Sequence, residues 1–305
     1  MLGDDLIREL KAVQAIEFWH TEDDITFGGK KPEPSADNQR PIMEALKKSG
    51  RKILLGVFMD PDADRIRFAD AQLDVSMNLF GPLAYAGLLQ QGFKGGVAST
   101  VSSSGFAFEI ARKNNQPAFE TPVGFKYFRP FLQTNQVLVA FEESDGISFA
   151  HHSLEKDAVA GFVCALSCMM ATQKNLSEIY ADIQKKYGYF YPDRAGLDVT
   201  GVSPTEWNTY KKKFLSVLTA NFFKIGDLIP VGSTSKKIAH VNTMDGLKLI
   251  FDDKSWILLR PSGTEPKFRI CYEVVSTSPV NDIDSRLNEY KAAGAWVLER
   301  VKKEA

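Results

Sequence analysis

The 305-residue sequence is long enough for two or three domains, and its 25% charged residues with a formal net charge of −1 exclude a chain-wide field for nucleic acid or anionic membrane. Three cysteines, Cys164, Cys168 and Cys271, lack CxxC spacing, which argues against a disulfide framework and fits a reducing, cytoplasmic compartment. No apolar stretch is long enough to span a bilayer, and the opening MLGDDLIREL lacks the basic-then-apolar order of a signal peptide. Leu6, Leu10 and Val13 predict a helix from Asp4 to about Ile16 with no strand before it, an order that reads as a chain cut inside a domain. Phe27–Ser35 reads as a loop and Pro41–Ser49 as a short helix feeding an apolar strand, Ile53–Met59.

A helix is expected at Leu79–Gln90, a strand at Gly96–Thr100, a serine-rich turn at Val101–Gly105 and a helix at Phe106–Lys113. Val137–Ala140 is an apolar run ending in Glu142 and Glu143. Lys156–Thr172 reads as a helix with Val159, Phe162, Val163, Leu166, Met169 and Met170 on adjoining turns. The Tyr-, Gly-, Pro- and Asp-rich stretch Tyr187–Pro204 reads as a hinge between domains. Beyond it come an amphipathic helix (Pro204–Ala220), strands at Gly246–Phe251, Ser255–Arg260 and Lys267–Val275, and a final helix from about Ile283. The fold class is α/β plus α+β: a partial and a complete three-layer α/β domain, then a smaller α+β domain. There is no internal repeat.

Three loops carry chemistry. Asp60-Pro61-Asp62-Ala63-Asp64-Arg65 follows an apolar run, and three carboxylates at alternate positions can converge on one hard divalent cation at the carboxyl end of a strand. An EF-hand needs Gly and Glu where this chain has Arg65 and Ala71, so that reading fails, and a solvated acidic turn is the bland alternative. Arg260-Pro261-Ser262-Gly263-Thr264-Glu265-Pro266 lies between two expected strands. It offers a guanidinium fork, two hydroxyls and an approachable backbone to a phosphate, with Lys267 and Arg269 adding charge, yet a plain β-turn explains the same Pro, Ser and Gly. It lacks GxxxxGK[ST] and is not a nucleotide P-loop.

Phe141-Glu142-Glu143-Ser144-Asp145-Gly146 could hydrogen-bond sugar hydroxyls, or be a solvated paired-acid turn. Lys156 falls in the expected first turn of a helix, where the macrodipole disfavours a cation, with Asp157 as a neighbour that offsets its charge. Cys164 and Cys168 sit i,i+4 on a buried helix face and read as core, as does the Met169–Met170 pair. His151 and His152 read as surface residues or at most sugar contacts.

In this order the motifs resemble the α-D-phosphohexomutase superfamily of phosphoglucomutases, phosphomannomutases and phosphoglucosamine mutases. DPDADR is similar to its magnesium loop, TPVGFKYF to a loop on the third domain's substrate face, FEESDG followed by EKDA to its sugar-binding loop and lysine, and RPSGTEP to its phosphate-binding loop. The resemblance implies reversible transfer of phosphate between C1 and C6 of a hexose through a bisphosphorylated sugar, with Mg²⁺ and glucose 1,6-bisphosphate as cofactors. It also implies a four-domain enzyme, of which residues 1–72 correspond to the later part of domain two, 73–186 to domain three and 187–305 to domain four. Asp60, Asp62 and Asp64 would hold Mg²⁺, and Arg65 would contact the transferring phosphate or brace the loop. Glu142 and Ser144 would bind sugar hydroxyls, with a backbone contact from Gly124. Lys156 would bind phosphosugar and assist proton transfer, and Arg260, Ser262, Gly263, Thr264 and Arg269 would clamp the phosphate that is not reacting.

Three departures qualify the match. The family's phosphocarrier serine lies in a Ser-His-Asn-type loop, and no Ser-His pair occurs in this sequence. Phe141 and Asp145 stand where the family usually has glycine. The expected first domain and part of the second are not represented, so a partner segment would carry the phosphoserine. Two readings follow: a mutase portion inactive by itself, with glucose phosphates favoured by the Glu-Glu-Ser triplet, or a non-catalytic sugar-phosphate-binding remnant.

Overall fold

A computed structural model describes residues 16–20, 22–199, 203–219, 222–263 and 265–303. The expected opening helix lies outside them, except for Ile16. Helix α1 (Ala36–Ser49) starts earlier than Pro41 because the Ser35 hydroxyl caps it, accepting from Asn38 N at 3.2 Å. It packs on an antiparallel sheet of β1 (Gly56–Met59), β2 (Ile66–Ala69) and β3 (Asp74–Val75). The first of these strands begins three residues after the expected Ile53.

The middle unit places α2 (Met77–Gln90), β4 (Gly96–Thr100), α3 (Phe106–Lys113), β5 (Ala118–Thr121), α4 (Arg129–Gln133), β6 (Val137–Glu142), β7 (Gly146–Phe149), α5 (Ala158–Thr172) and α6 (Leu176–Tyr187) around a sheet of order β5-β4-β6-β7. The first three strands in that order are parallel and β7 is antiparallel to β6. Alternation sends Val97, Val139 and Phe141 into a core shared with α2, α3, α5 and α6, and Ala98 and Ala140 against Phe125, Phe128 and Leu132 on the other face. Ile66, Phe68 and Val75 join the larger core, so the short sheet that carries the acidic loop is packed onto the middle unit.

Three expectations change here. Helix α5 opens at Ala158, because Asp157 rather than Lys156 caps it, its carboxylate accepting from Val159 N at 2.8 Å and Ala160 N at 3.1 Å. Lys156 therefore lies outside the helix, and Asp157 is occupied by the cap and by His152 (2.7 Å) rather than by Lys156. The buried stripe of α5 is Gly161, Cys164, Ala165, Cys168 and Met169. Val163, Leu166 and Met170, at i, i+3 and i+7, form an outer stripe, with Met170 72% exposed.

The expected hinge Tyr187–Pro204 is in large part a strand, with residues 200–202 outside those described. Its centre is β8 (Tyr189–Asp198), ten residues paired along their length with β13 (Lys267–Ser276). It is the edge strand of an antiparallel six-stranded sheet, order β8-β13-β12-β11-β10-β9, where Pro192 is tolerated. The other strands are β9 (Leu228–Val231), β10 (Thr234–Asn242), β11 (Leu247–Phe251) and β12 (Trp256–Pro261). Ile257, Leu259, Phe268 and Ile270 face a core shared with α7 (Pro204–Thr219) and α8 (Ile283–Lys302). Trp256, Leu258 and Cys271 face the middle unit at Val101. The class is thus α/β plus α+β.

Buried charge ties these two parts together. Glu273, fully buried, accepts from Trp256 Nε1 (2.8 Å) and Gly105 N (2.9 Å) and from the Ser104 hydroxyl. Lys248 Nζ donates to Val101 O (2.8 Å) and Glu120 Oε1 (2.6 Å). Both charges have the partners that burial demands. No helix among the described residues is long and apolar enough to cross a membrane.

Candidate functional site

The β1–β2 connection is the acidic loop. Asp60, 4% exposed, accepts from Asp64 N (3.1 Å) and Arg65 N (2.9 Å) on Oδ1 and from Arg65 Nε (2.6 Å) on Oδ2. Burial alone would raise its carboxyl; the Arg65 backbone and guanidinium outweigh that and hold it below the usual carboxylate range. Ligand oxygens of Asp60, Asp62 and Asp64 all lie within 4.8 Å of one another. Three hard oxygen donors converging in this way fit Mg²⁺ or Ca²⁺. Asp64 Oδ2 also meets Lys156 Nζ at 2.9 Å. Burial and the neighbouring Asp60 carboxylate push the Asp64 carboxyl up, with Lys156 pulling against them. Arg65 braces this loop from its side, with Asp64 at 3.6 Å and Glu33 at 3.7 Å as further partners.

The β6–β7 turn, Glu143–Asp145, is joined to the acidic loop by backbone. Ile66 N donates to Asp145 O (2.9 Å), Arg65 bridges to Gly146, and Ala158 N donates to Ala63 O (3.0 Å). A Cβ added to Gly146 would come within 2.9 Å of Lys156 Cδ and 3.3 Å of Glu142, so the glycine lets the lysine and glutamate close over one another. Glu142 is buried. Burial pushes its carboxyl up and Glu143 adds to this, while Ser144 and Lys156 work the other way. Ser144 is half-buried. Asp145 has φ +70°, the left-handed conformation in which glycine is easiest and aspartate tolerated. Its carboxylate accepts from Met77 N (3.0 Å) and meets Arg67 Nη1 (3.3 Å), and Arg67 grips Asp74 with two bonds of 2.7 and 2.8 Å. The Phe141 ring lies where a Cβ on Gly81 of α2 would fall, 2.5 Å away, so a glycine on the facing helix accommodates it.

The β12–β13 connection is the basic loop. Ser262 is buried, its carbonyl accepting from Trp207 Nε1 at 2.9 Å, and Lys211 Nζ reaches Gly263 O at 3.4 Å. Arg260 Nε donates to Asp245 Oδ2 (2.9 Å), which also accepts from Val123 N (2.9 Å), beside Gly124 at φ +132°. One carboxylate in the β10–β11 turn thus ties the basic loop to the 121–124 loop. Thr264 lies outside the described residues.

Asp60, Asp62, Asp64, Arg65, Glu142 and Lys156 are therefore brought together, and Gly124 and Arg260 form a second group. No hydrogen bond or ion pair among the described residues joins the acidic loop to the basic one. Arg67, Asp245 and Trp207 went unread in the sequence: a cation–acid pair and a turn aspartate carry no spacing signal, and a tryptophan on an amphipathic helix reads as core. His151 and His152 are exposed, as expected of surface residues, and His152 Nε2 pairs with Asp157 Oδ2 at 2.7 Å.

Residues 79–187 match the family described as phosphoglucomutase/phosphomannomutase, alpha/beta/alpha domain III, and residues 227–289 match its C-terminal domain, together more than half the chain. A phosphoglucomutase/phosphomannomutase of Thermococcus kodakarensis is 28% identical over 91% of this chain and 54% of its own length. A phosphoglucosamine/phosphogalactosamine mutase of Sulfurisphaera tokodaii is 28% identical over 87% and 54%. The solved open form of the pp63/parafusin phosphoglucomutase of Paramecium superposes with a TM-score of 0.68 at 23% identity, over 92% of this chain and 52% of that one. The chain spans about half the length of the curated relatives it matches.

Proposed function

Since this chain belongs to the α-D-phosphohexomutase superfamily, we propose that it supplies the metal, sugar and distal-phosphate portions of a mutase that moves phosphate between C1 and C6 of a hexose. The observation that carries the proposal is the joining of the Asp60/Asp62/Asp64 loop to the turn after Glu142 by backbone contacts to Asp145 and Gly146, to the start of α5 by the Ala158–Ala63 bond, and to Lys156 by its ion pair with Asp64. Such preorganisation is what charge stabilisation at a transferring phosphoryl group requires. Asp60, Asp62 and Asp64 would hold Mg²⁺, which supplies electrostatic stabilisation of a phosphoryl oxygen when bound. Arg65 fixes Asp60, Glu142 and Ser144 bind sugar hydroxyls, Gly124 offers backbone, and Lys156 binds phosphosugar and assists proton transfer. Arg260, Ser262, Gly263, Thr264 and Arg269 hold the other phosphate. Glucose phosphate is the favoured substrate and glucose 1,6-bisphosphate the intermediate. The phosphoserine comes from a segment outside this sequence, so the chain alone binds without turnover. The division proposed at 186 separates the middle unit from the C-terminal sheet, whereas one at 72 would cut the β1–β2–β3 sheet, whose β3 pairs with β2. The compartment is cytoplasmic.

The test is an NMR titration of the chain with glucose 6-phosphate and with glucose. Binding of the phosphate and not of glucose, reduced by Arg260→Ala by about 1.5–3 kcal/mol as one charged hydrogen-bonding partner is lost, supports the reading. Equal shifts with glucose, or in Arg260→Ala, would show that the loop is only a turn.

A further inference from the structure

The C-terminal sheet presents more positive charge to the middle unit than the 260–266 loop accounts for. In the strand register, Arg260 lies opposite Arg269, Cys271 lies opposite both Leu258 and Arg194, and Gly196 lies opposite Arg269. Directly paired residues point to one face of a sheet, as do residues two apart on one strand. Arg194, Arg260 and Arg269 therefore stand on the face of Leu258 and Cys271, which packs against Val101 of the middle unit. Arg194 and Arg269 are exposed, and among the described residues neither guanidinium has a hydrogen bond or ion pair; the neighbouring Asp193 carboxylate accepts from the backbone N–H of Arg194, not from its side chain.

A solvated surface arginine is the ordinary explanation of such a residue, but two features set Arg194 apart. The position opposite Arg269 on β8 is Gly196, where an added Cβ meets no atom within 4 Å, so the space beside it on this face is open. The charges also converge on the seam. Burial pushes the Cys271 thiol up to about 12 and Glu143 adds to this, while Arg194, Arg269 and Arg260 all pull it down. Burial likewise raises the Asp145 carboxyl, opposed by Arg67 and also by Arg194. Arg194 thus lies within electrostatic reach of Asp145 in the 142–145 turn as well as standing on the basic face.

We infer that Arg194 is a further ligand-binding residue of the proposed phosphosugar site, completing with Arg260 and Arg269 a three-guanidinium face for a phosphate-bearing ligand on the side nearest the 142–145 turn. This rests on the reading above. Guanidinium groups suit the role because their planar forks pair with phosphate oxygens and stay charged.

The experiment titrates the 305-residue chain and its Arg194→Ala, Arg194→Lys and Arg260→Ala variants by calorimetry with glucose 6-phosphate, inorganic phosphate and glucose. Arg194→Ala is expected to weaken glucose 6-phosphate about tenfold, with Arg194→Lys recovering part of the loss and the unfolding temperature unchanged. A larger loss for glucose 6-phosphate than for inorganic phosphate supports a position between the phosphate and the sugar turn. Glucose 6-phosphate binding that is lost in Arg260→Ala but intact in Arg194→Ala overturns this inference alone. No binding by the unmodified chain overturns both this inference and the functional reading.

Discussion

The acidic loop at 60–65 and the basic face around 260–269 hold charge in opposite ways. The acids are compensated from within their own neighbourhood: Asp60 takes two backbone N–H groups and the Arg65 guanidinium, and Asp64 takes Lys156. On the basic face Asp245 occupies Arg260 Nε, while Arg269 and Arg194 meet no acid among the described residues. A loop neutralised by its own chain keeps its shape without a ligand and must exchange partners to take one. An open row of guanidinium groups costs no such exchange, and its charges remain available to an incoming anion. Under the proposed function the acidic loop serves as a preformed part, and the basic face as the element that captures ligand.

The largest expected effect breaks the first half of this contrast. Asp60→Ala removes the acceptor of three N–H groups in a nearly buried position and is expected to destabilise the chain by about 2–4 kcal/mol in urea unfolding, since buried donors left unpaired lose their full desolvation cost. A loss under about 0.5 kcal/mol would mean that the loop does not depend on its internal compensation. The pH dependence has a definite sign. Because the folded Asp60 pKa is depressed, its stabilisation is complete above the ordinary aspartate value of about 3.9 and is lost as pH falls through the lower folded value. Asp64, with a raised pKa, acts oppositely, its contribution being lost as pH rises through the folded value. Asp60→Asn should remove the Asp60 part of the acid-side decline.

A middle-sized effect comes from Lys156. Its ammonium lies 2.9 Å from Asp64 Oδ2, where it competes with a divalent cation. Lys156→Ala is therefore expected to tighten Mg²⁺ binding by about threefold, for a partly exposed pair in which solvent screens much of the interaction. Calorimetry checks this. Weaker binding in the variant would mean that Lys156 organises the carboxylates rather than competing for them.

How much of this was legible in the sequence depended on the range of the interactions. The acidic loop was readable because its three carboxylates alternate along six residues after an apolar run, and the structure keeps Asp60, Asp62 and Asp64 within 4.8 Å of one another. The helices α2 and α3 and the strands β4, β11 and β12 carried their own periodicity. Strand β8 did not, because its ten residues are held by pairing with β13, some eighty positions away, and Pro192 and Gly196 locally resemble a linker. The start of α5 was misjudged because two acid-bearing positions precede it, and only the N–H geometry identifies Asp157 as the cap. Met170 was misplaced because an almost wholly apolar helix does not reveal in one dimension which stripe meets the sheet. The bridge from Asp245 to Val123 and Arg260 joins three segments distant in sequence and has no local signature.

The smallest expected effect on stability is the sharpest test of the division between a compensated loop and a ligand that is still needed. Asp62 is exposed and, among the described residues, has no hydrogen bond or ion pair, yet its carboxylate lies within 4.8 Å of ligand oxygens on both Asp60 and Asp64. Asp60 and Asp64 already meet cationic or N–H partners, so Asp62 is the member of the three that no group among the described residues neutralises. Asp62→Asn keeps the shape and one oxygen donor and removes the charge. Unfolding free energy should stay within about 0.5 kcal/mol of the unmodified chain, as for surface changes without a structural role. Mg²⁺ affinity should fall by about tenfold, because ligand charge sets affinity for a hard cation. Calorimetric titration with Mg²⁺ beside urea unfolding reads both quantities. Unchanged Mg²⁺ affinity would place the cation elsewhere, and a large stability loss would show that Asp62 belongs with Asp60 among the residues that hold the loop together.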